Sequence, residues 1–508
     1  MSEQALPPGW APTSIDQVAT NYSGNSKLIK GKLSEAPAEG LYPAFSASGR
    51  DVWHSGFEEE GEAIIVSAVG ARCGKAFRAS GQWSAIANTH VVRINPLAGD
   101  ITYFFYLLNR EDYWVKGGTA QPFVRVKATF ERPFLLPPLA EQKRIVAKIE
   151  ELFSELGAGE ESLRVARRQL GVYRQSLLKQ AFEGKLTAKW RTQNPAKLES
   201  PAQLLARIQS ARQDYYKQQL KDWEAALKEW ESIETDEKRP PKPQKLIPTE
   251  DNIQVFDSPF PKAWVQLNLS QFVLELGQGW SPKCESREAQ GDEWSVIKTT
   301  AIQFSHFDAS ANKALPKGLP PRRWLALRAG DILITRAGPR SRCGVVCRVS
   351  ANHPKLMLCD KAYRLVLSEN ATSSEFVERL LCSPVAMAAI EKLKTGINDS
   401  GVNITQSAFL QLALPIPSLP EQQEIVRLLD EQFEVIERNE REIDGALRRS
   451  EALRQSILHR AFTGRLVPQD PSDEPASALL AHLRAERAAT PDAASRRKRK
   501  SATMPANI

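Results

Sequence analysis

One stretch of this chain occurs twice, and that repeat decides what the chain can fold into. Arg174-Gln-Ser-Leu-Leu-Lys-Gln-Ala-Phe-Glu-Gly-Lys-Leu186 recurs as Arg454-Gln-Ser-Ile-Leu-His-Arg-Ala-Phe-Thr-Gly-Arg-Leu466, at a shift of 280 positions. At the same shift Pro137, Leu139, Glu141 and Gln142 meet Pro417, Leu419, Glu421 and Gln422. Pro201-Ala-Gln-Leu-Leu205 resembles Pro475-Ala-Ser-Ala-Leu-Leu480, and Trp10, Ile15 and Val18 match Trp264, Leu269 and Phe272 in spacing. Gly61-Glu-Ala-Ile-Ile-Val66 parallels Gly330-Asp-Ile-Leu-Ile-Thr335, and Arg72-Cys-Gly74 parallels Arg342-Cys-Gly344. Self-similarity of this kind means two copies of one structural unit. Each copy reads as a globular domain followed by a helix.

The helical parts carry the clearest pattern. Ile145, Ile149, Leu152, Leu156, Gly159, Leu163, Ala166, Leu170, Tyr173, Leu177 and Gln180 step by four and three without a break. The second copy gives Ile425, Leu429, Ile436, Ile443, Ala446, Leu453 and Ile457, with Gln432, Asn439, Ser450 and Arg460 as polar exceptions. A sustained period of about 3.5 residues marks a coiled-coil seam rather than a helix lying on a sheet. Each helix is expected to run about 40 residues, or roughly 60 Å. Two such helices, each with one apolar stripe, most simply bury the stripes against each other, with Asn439 helping to fix the register. Ser418-Leu-Pro-Glu421 has the spacing of a capping box at the start of the second helix.

The globular parts, roughly 10–136 and 263–416, read as mixed α+β with strands dominant. Ile64-Ile-Val66 and Ile332-Leu-Ile-Thr335 are short β-rich runs closed by glycine-containing turns, while Asp100 to Asn109 and Ser374 to Lys394 have helical patterns. Between the units, Leu204, Ile208, Ala211, Tyr215, Trp223, Leu227 and Trp230 predict an amphipathic helix. Lys238-Arg-Pro-Pro-Lys-Pro-Gln-Lys245 predicts a stiff basic linker.

Length and composition agree with this division. A chain of 508 residues, 42% hydrophobic and 25% charged, is too long for one core and too apolar for wholesale disorder. Met1 to Trp10 has an acid and two prolines where a signal peptide needs a basic start and an apolar run. The most apolar stretch, Ala63 to Gly70, is far short of the roughly 20 residues of a membrane helix. A soluble, cytoplasmic protein is expected. The net charge of +8 owes most to Arg496, Arg497, Lys498, Arg499 and Lys500, read as a solvated, disordered tail. Charge alone is therefore a weak pointer to nucleic acid. Along Arg342 to Val349, Cys343, Val345, Cys347 and Val349 alternate onto one strand face, which reads as buried thiols rather than zinc ligands.

Catalytic signatures are missing from the sequence. An amino-methyltransferase needs Asn, Asp or Ser before Pro-Pro and an aromatic; the pairs Pro7-Pro8, Pro137-Pro138, Pro240-Pro241 and Pro320-Pro321 do not fit, and Asp257-Ser-Pro-Phe260 lacks the second proline. Leu276-Gly-Gln-Gly279 is a lone G-x-G. Gly70-Ala-Arg-Cys-Gly-Lys75 is one residue short of a P-loop, and Ala76 stands where Ser or Thr is required.

A duplicated domain-plus-helix chain with Pro-Pro-Leu-Ala-Glu-Gln142 and Pro-Ser-Leu-Pro-Glu-Gln422 opening its helices resembles the specificity subunits of type I restriction–modification enzymes. The Gly-Asp-Ile-Leu-Ile334 strand and the Ala-Phe-x-Gly-x-Leu ends at 181–186 and 461–466 are also typical of that family. The resemblance covers about 5–480; the segment 199–234 and the basic tail are its least typical parts. It implies target recognition domain 1 over 1–136, coiled-coil helix 1 over 137–186 and a charged helical segment and linker over 187–262. It further implies target recognition domain 2 over 263–416, coiled-coil helix 2 over 417–468, and a short helix with a basic tail over 469–508. Each domain would read one half of a bipartite double-stranded DNA site. The helices would pack antiparallel, with their length setting the unspecified spacer. Two modification subunits carrying S-adenosylmethionine would methylate adenine N6, and two restriction subunits using ATP and magnesium would join them. This chain itself would be non-catalytic and would bind no cofactor or metal.

Base-edge readout needs Arg, Lys, Asn, Gln, Ser or Thr on exposed loops. The loops beside the matched strands supply Arg72 and Lys75 in the first domain and Arg336, Arg340 and Arg342 in the second. Ser46, Ser48 and Arg50, and Lys283, Lys298 and Thr299, complete the candidate set. For any one of them a solvated surface charge or a phosphate contact is an equal reading. Two other function classes stand beside the DNA reader: a self-contained DNA methyltransferase or nuclease, and a coiled-coil adaptor without DNA affinity.

Overall fold

The structure, a computed structural model, describes residues 6–118, 121–232, 239, 242–243, 260–396 and 398–489. The basic tail at 496–500 and most of the 238–245 linker lie outside the described residues. The chain divides into two compact units, 1–164 with 443–508, and 165–442. Both boundaries fall within the two long helices, Leu139–Phe182 and Leu419–Phe462, so each unit holds part of each helix.

The two units repeat one strand plan. Unit 1 has an antiparallel sheet ordered Ala19–Ser23, Thr89–Ile94, Ala63–Ser67, Ala76–Ala79. Its second sheet is ordered Gly49–His54, Tyr42–Ser46, Gln82–Ala85, Glu59–Glu60, with the middle pair parallel. Unit 2 repeats the first sheet as Glu275–Gln278, Ala362–Val366, Ile332–Thr335, Val346–Arg348. It repeats the second as Asn312–Ala314, Ser295–Ile297, His353–Met357, Ala326–Leu327, again with the middle pair parallel. The short apolar runs expected as strands are central strands of the first sheets. Ile64 and Val66 face a core shared with helices, whereas Ile65 faces the core between the sheets. Ile332 and Ile334 are divided from Leu333 in the same way. Burial on both faces is why these strands read as unbroken apolar runs instead of alternating ones.

In each unit a short antiparallel pair joins the start of the globular part to its end: Ala11–Thr13 with Phe134–Leu136, and Val265–Asn268 with Ala413–Ile416. Each long helix begins just after that closure. Gln142 and Gln422, both fully buried, lock the junction. Gln142 Nε2 donates to the Pro137 carbonyl (3.1 Å), and its Oε1 accepts from Asp100 N, the N-cap residue of helix Ile101–Leu108. Gln422 Nε2 donates to Pro417 O (2.9 Å) and its Oε1 accepts from Ser373 N, the N-cap residue of helix Ser374–Leu381. The neighbouring glutamates bind the chain that follows the other long helix. Glu141 accepts from Trp10 Nε1 (2.9 Å) and Gln469 Nε2 (3.1 Å), and burial pushes its carboxyl above the usual carboxylate range. Glu421 accepts from Thr187 Oγ1 (2.7 Å) and Arg191 Nη2 (2.7 Å). Glu421 is thus not the partner of a capping box: Ser418 Oγ is buried without a hydrogen bond, and only its carbonyl receives the Glu421 and Gln422 amides.

Within each unit the long-helix segments run antiparallel. In unit 1, Glu160 meets Ser450 (2.7 Å) and Arg454 (3.1 Å), while Arg144, nearer the start of its helix, meets Asp473 (2.6 Å), beyond the end of the other. In unit 2, the Tyr173 hydroxyl donates to Gln432 (3.2 Å), and Arg174 lies over the Phe433 ring. Ile145, Ile149, Leu177, Ile425, Leu429, Ile436 and Ile443 are buried; Leu152, Leu156, Leu163, Leu170, Asn439 and Ile457 are half-buried. Two of the large expected seam residues are exposed. Leu453 is 51% exposed, because Arg454 takes the inward position and reaches Glu160 and the Phe153 ring. Tyr173 is 45% exposed and reaches Gln432 of the other helix through its hydroxyl.

The helices following the repeat ends are also equivalent. Leu204 and Ile208 of Pro201–Ser232 enter the core of unit 2, and Leu479, Leu480 and Leu483 of Ala476–Ala489 enter that of unit 1. Cys343 and Cys347 are both buried but do not share a face: Cys343 precedes its strand and lies in the helix-facing core, whereas Cys347 lies between the sheets. Burial pushes the Cys347 thiol up to about 12.

Because the Gln422 amide satisfies two buried backbone groups, Gln422→Ala should destabilise the second unit by about 1–3 kcal/mol. Urea unfolding of the full chain, followed by hydrogen exchange in each unit, measures this; an equal loss of protection in both units would contradict a local lock.

Candidate nucleic-acid interface

The turn after the central strand is built alike in both units. In unit 1, Gly70 to Lys75 follows Ala63–Ser67, with Cys73 buried as its anchor. Gly74 has φ +90°, and a Cβ there would meet the Trp114 ring at 2.8 Å. In unit 2, Gly344 has φ +84°, and a Cβ would meet Ile390 at 2.8 Å. A side chain at either position would be strained in conformation and would also clash. The same turn therefore presents Arg72 and Arg342 at matched places.

These two arginines hold the loop that leaves the second sheet. Arg72 is exposed, and its Nη1 donates to the Ser48 carbonyl (3.2 Å). Arg342 Nη2 donates to the carbonyls of Thr299 (2.9 Å) and Ile302 (2.7 Å). Ser46, expected to face DNA, is buried; its hydroxyl donates to Asp51 (2.6 Å) and accepts the Ser48 amide, so it shapes the hairpin. Arg50 and Lys75 are exposed, and their side chains make no hydrogen bond or ion pair among the described residues. Arg72 thus ties the hairpin that carries Ser48 and Arg50 to the turn that carries Lys75.

The sequence reading missed a third loop beside them. Lys27, Lys30 and Lys32 are exposed, and Lys30 Nζ bonds Asp51, the partner of Ser46. The signal was present: Ser26-Lys-Leu-Ile-Lys-Gly-Lys32 carries three lysines and no acid.

In unit 2 the expected arginines are occupied inside the protein. Arg336 Nε donates to Asp360 O (2.8 Å), its Nη1 to Asn403 Oδ1 (2.8 Å), and the guanidinium lies over the Tyr363 ring. Arg340 pairs with Glu391 (2.6 Å) and Asp399 (2.8 Å), hydrogen bonds that raise its pKa. Lys394, with Arg340, holds the Glu391 carboxyl below its usual range. A cavity of about 540 Å³ beside this turn is lined by Phe304, Arg340, Cys343, Met387, Ile390 and Lys394, among others. Lys298 and Thr299 are half-buried, and Lys283 is exposed. All three arginines are thus engaged within the protein, whereas the Lys283 side chain makes no hydrogen bond or ion pair among the described residues. Among the described residues, no cluster of three or more His, Cys, Asp or Glu side chains is arranged to hold a metal ion. No described helix is long and apolar enough to cross a membrane.

The model of the type I restriction modification DNA specificity domain matches residues 9–162 and 330–446, together just over half of the chain. The chain is 27% identical over 316 residues to the EcoEI specificity subunit of Escherichia coli, covering 62% of this chain and 46% of that protein. It is 26% identical over 366 residues to the EcoKI specificity subunit of E. coli strain K12, covering 70% and 64%. Against the E. coli EcoDI specificity subunit the match is 23% over 509 residues, covering 96% and 98%. The first two matches thus span less than two thirds of those relatives. A chain from a solved type I R-M system, in a study of complex assembly and conformational transition, superimposes with a TM-score of 0.56 at 17% identity, covering 91% of this chain and 100% of that one. The two share a fold.

Arg342→Ala should cost about 1.5–3 kcal/mol of stability through the lost charged hydrogen bonds, and should raise hydrogen exchange over 299–305. Arg50→Ala and Lys75→Ala should leave stability unchanged and weaken DNA binding, each lowering the salt slope by about one. A stable Arg342→Ala protein with unchanged exchange would refute the tether.

Proposed function

From membership of the type I restriction modification DNA specificity family, to which this chain belongs, we propose that the protein is the DNA-reading subunit of a type I restriction–modification complex. Each domain reads one half of a bipartite duplex site. The long helices form the frame on which two modification subunits dock, and two restriction subunits complete the assembly. Methyl transfer from S-adenosylmethionine to adenine N6 belongs to the modification subunits, and ATP- and magnesium-dependent work to the restriction subunits. The chain itself performs neither reaction and works in the cytoplasm. The observation that carries this reading is that one scaffold of two four-stranded sheets occurs twice, and each copy carries exposed basic residues on its loops. A frame built from two copies of one unit suits two identical partners and two half-sites. A partner that grips the duplex beside the target also lowers the cost of taking the base out of its stack.

Replacing residues 263–416 with the equivalent domain of a relative, in complex with the modification subunit, should change one half of the sequence selected from random duplexes. The other half should stay as it was. A change in both halves contradicts two independent readers. Methyl transfer by the purified chain alone, given labelled S-adenosylmethionine and mixed-sequence DNA, would instead support a self-contained enzyme.

A further inference from the structure

The second domain carries a basic arm that has no counterpart in the first. In unit 1, strands Gly49–His54 and Glu59–Glu60 are joined by residues 55–58, a short turn with Phe57 packed on Tyr42. In unit 2 the equivalent strands, Asn312–Ala314 and Ala326–Leu327, are joined by Leu315-Pro-Lys-Gly-Leu-Pro-Pro-Arg-Arg-Trp-Leu325. From Asn312 to Gly330 the chain has no acidic residue and carries Lys313, Lys317, Arg322, Arg323 and Arg328.

The arm is held in place. Pro316, Pro320 and Pro321 restrict its backbone, and the Leu319 amide closes a turn onto Pro316 O. Arg322 stacks on Trp280, 4.3 Å from the ring centroid, which fixes the arm beside the loop carrying Lys283. The Trp324 carbonyl accepts from Arg364 Nη2 (3.3 Å), yet the residue is 57% exposed. Lys317 and Arg323 are exposed, and their side chains make no hydrogen bond or ion pair among the described residues. Glu293, whose carboxyl is influenced by Lys317, is already bonded by Arg287 at 2.6 and 2.8 Å. A rigid loop presenting free cations and one indole is organised before its ligand arrives.

We propose that residues 315–325 are a second DNA contact of this domain, with Lys317 and Arg323 on phosphate oxygens and Trp324 against the sugar–phosphate edge. The inference rests on the DNA-reading assignment above and adds a contact independent of base sequence. Unpaired point charges suit a polyanion whose phosphates recur regularly. An acidic protein partner would call for an apolar centre within the contact, and here Trp324 is the only residue of the arm exposed as a large hydrophobic.

The test uses the full chain in complex with the modification subunit, comparing wild type with a Lys317→Ala/Arg323→Ala double variant and with Trp324→Ala. Affinity is measured on the selected duplex and on an unrelated one at several salt concentrations. The double variant should weaken both together and lower the salt slope by about two. Trp324→Ala should weaken both without changing the slope, and the selected sequence should stay the same in every case. Unchanged affinity and slope with sequence preference intact would overturn the arm alone. Unchanged DNA binding with failure to assemble would overturn it in favour of a protein partner. A wild type without preference for any duplex would refute the reader assignment, and a salt-slope change would still support the arm.

Discussion

The rest of the architecture depends on a buried amide at the first turn of each long helix. Gln142 and Gln422 each bond a backbone carbonyl at the helix entrance and the amide of an N-cap residue in the adjoining domain. A buried amide left unpaired costs about 1–3 kcal/mol, so the side chain stays where both ends of the junction meet it. The glutamate one residue earlier faces the other way and takes up the chain that has passed the end of the other helix. In unit 1 the donors are neutral, Trp10 and Gln469; in unit 2 they include the Arg191 guanidinium. Trp264, the counterpart of Trp10, makes no hydrogen bond through its ring nitrogen and lies beneath Arg191. One Glu-Gln pair thus performs the same task with two different sets of partners.

Much of this was legible in the sequence because it depends on local pattern. The central strands, the paired helices at 374–392 and the long helices follow from apolar spacing and N-caps near in sequence. Side-chain commitments were not legible, because their partners lie far along the chain. Arg336 is taken up by Asp360 and Asn403, Arg340 by Glu391 and Asp399, and Arg342 by the 299–302 turn. A basic residue in a turn after a strand looks the same in sequence whether it faces solvent or holds a carbonyl. The seam shows a related ambiguity: Leu453 and Arg454 are adjacent, and Arg454 takes the inward place because Glu160 and the Phe153 ring receive its guanidinium. Long basic side chains can cover apolar surface in this way.

The two domains share a scaffold and differ in where exposed basic residues sit. The first places Lys27, Lys30 and Lys32 in the loop after its first sheet strand, next to the Arg72 turn. The second neutralises much of the corresponding loop, where Arg287 pairs with Glu285 and Glu293. It carries Lys317 and Arg323, whose side chains have no partner among the described residues, in the 315–325 arm instead. Differences of this sort are expected if the strands are kept for shape while the loops are used for recognition.

The central claim is that two copies of one scaffold read two separate pieces of DNA. Single-molecule mapping of methylated adenine in a host carrying this chain with the proposed modification and restriction subunits tests it most directly. The account predicts one motif made of two specified halves separated by a fixed run of unspecified bases, lost when this chain is deleted. A single uninterrupted motif, or methylation that persists without the chain, would contradict it.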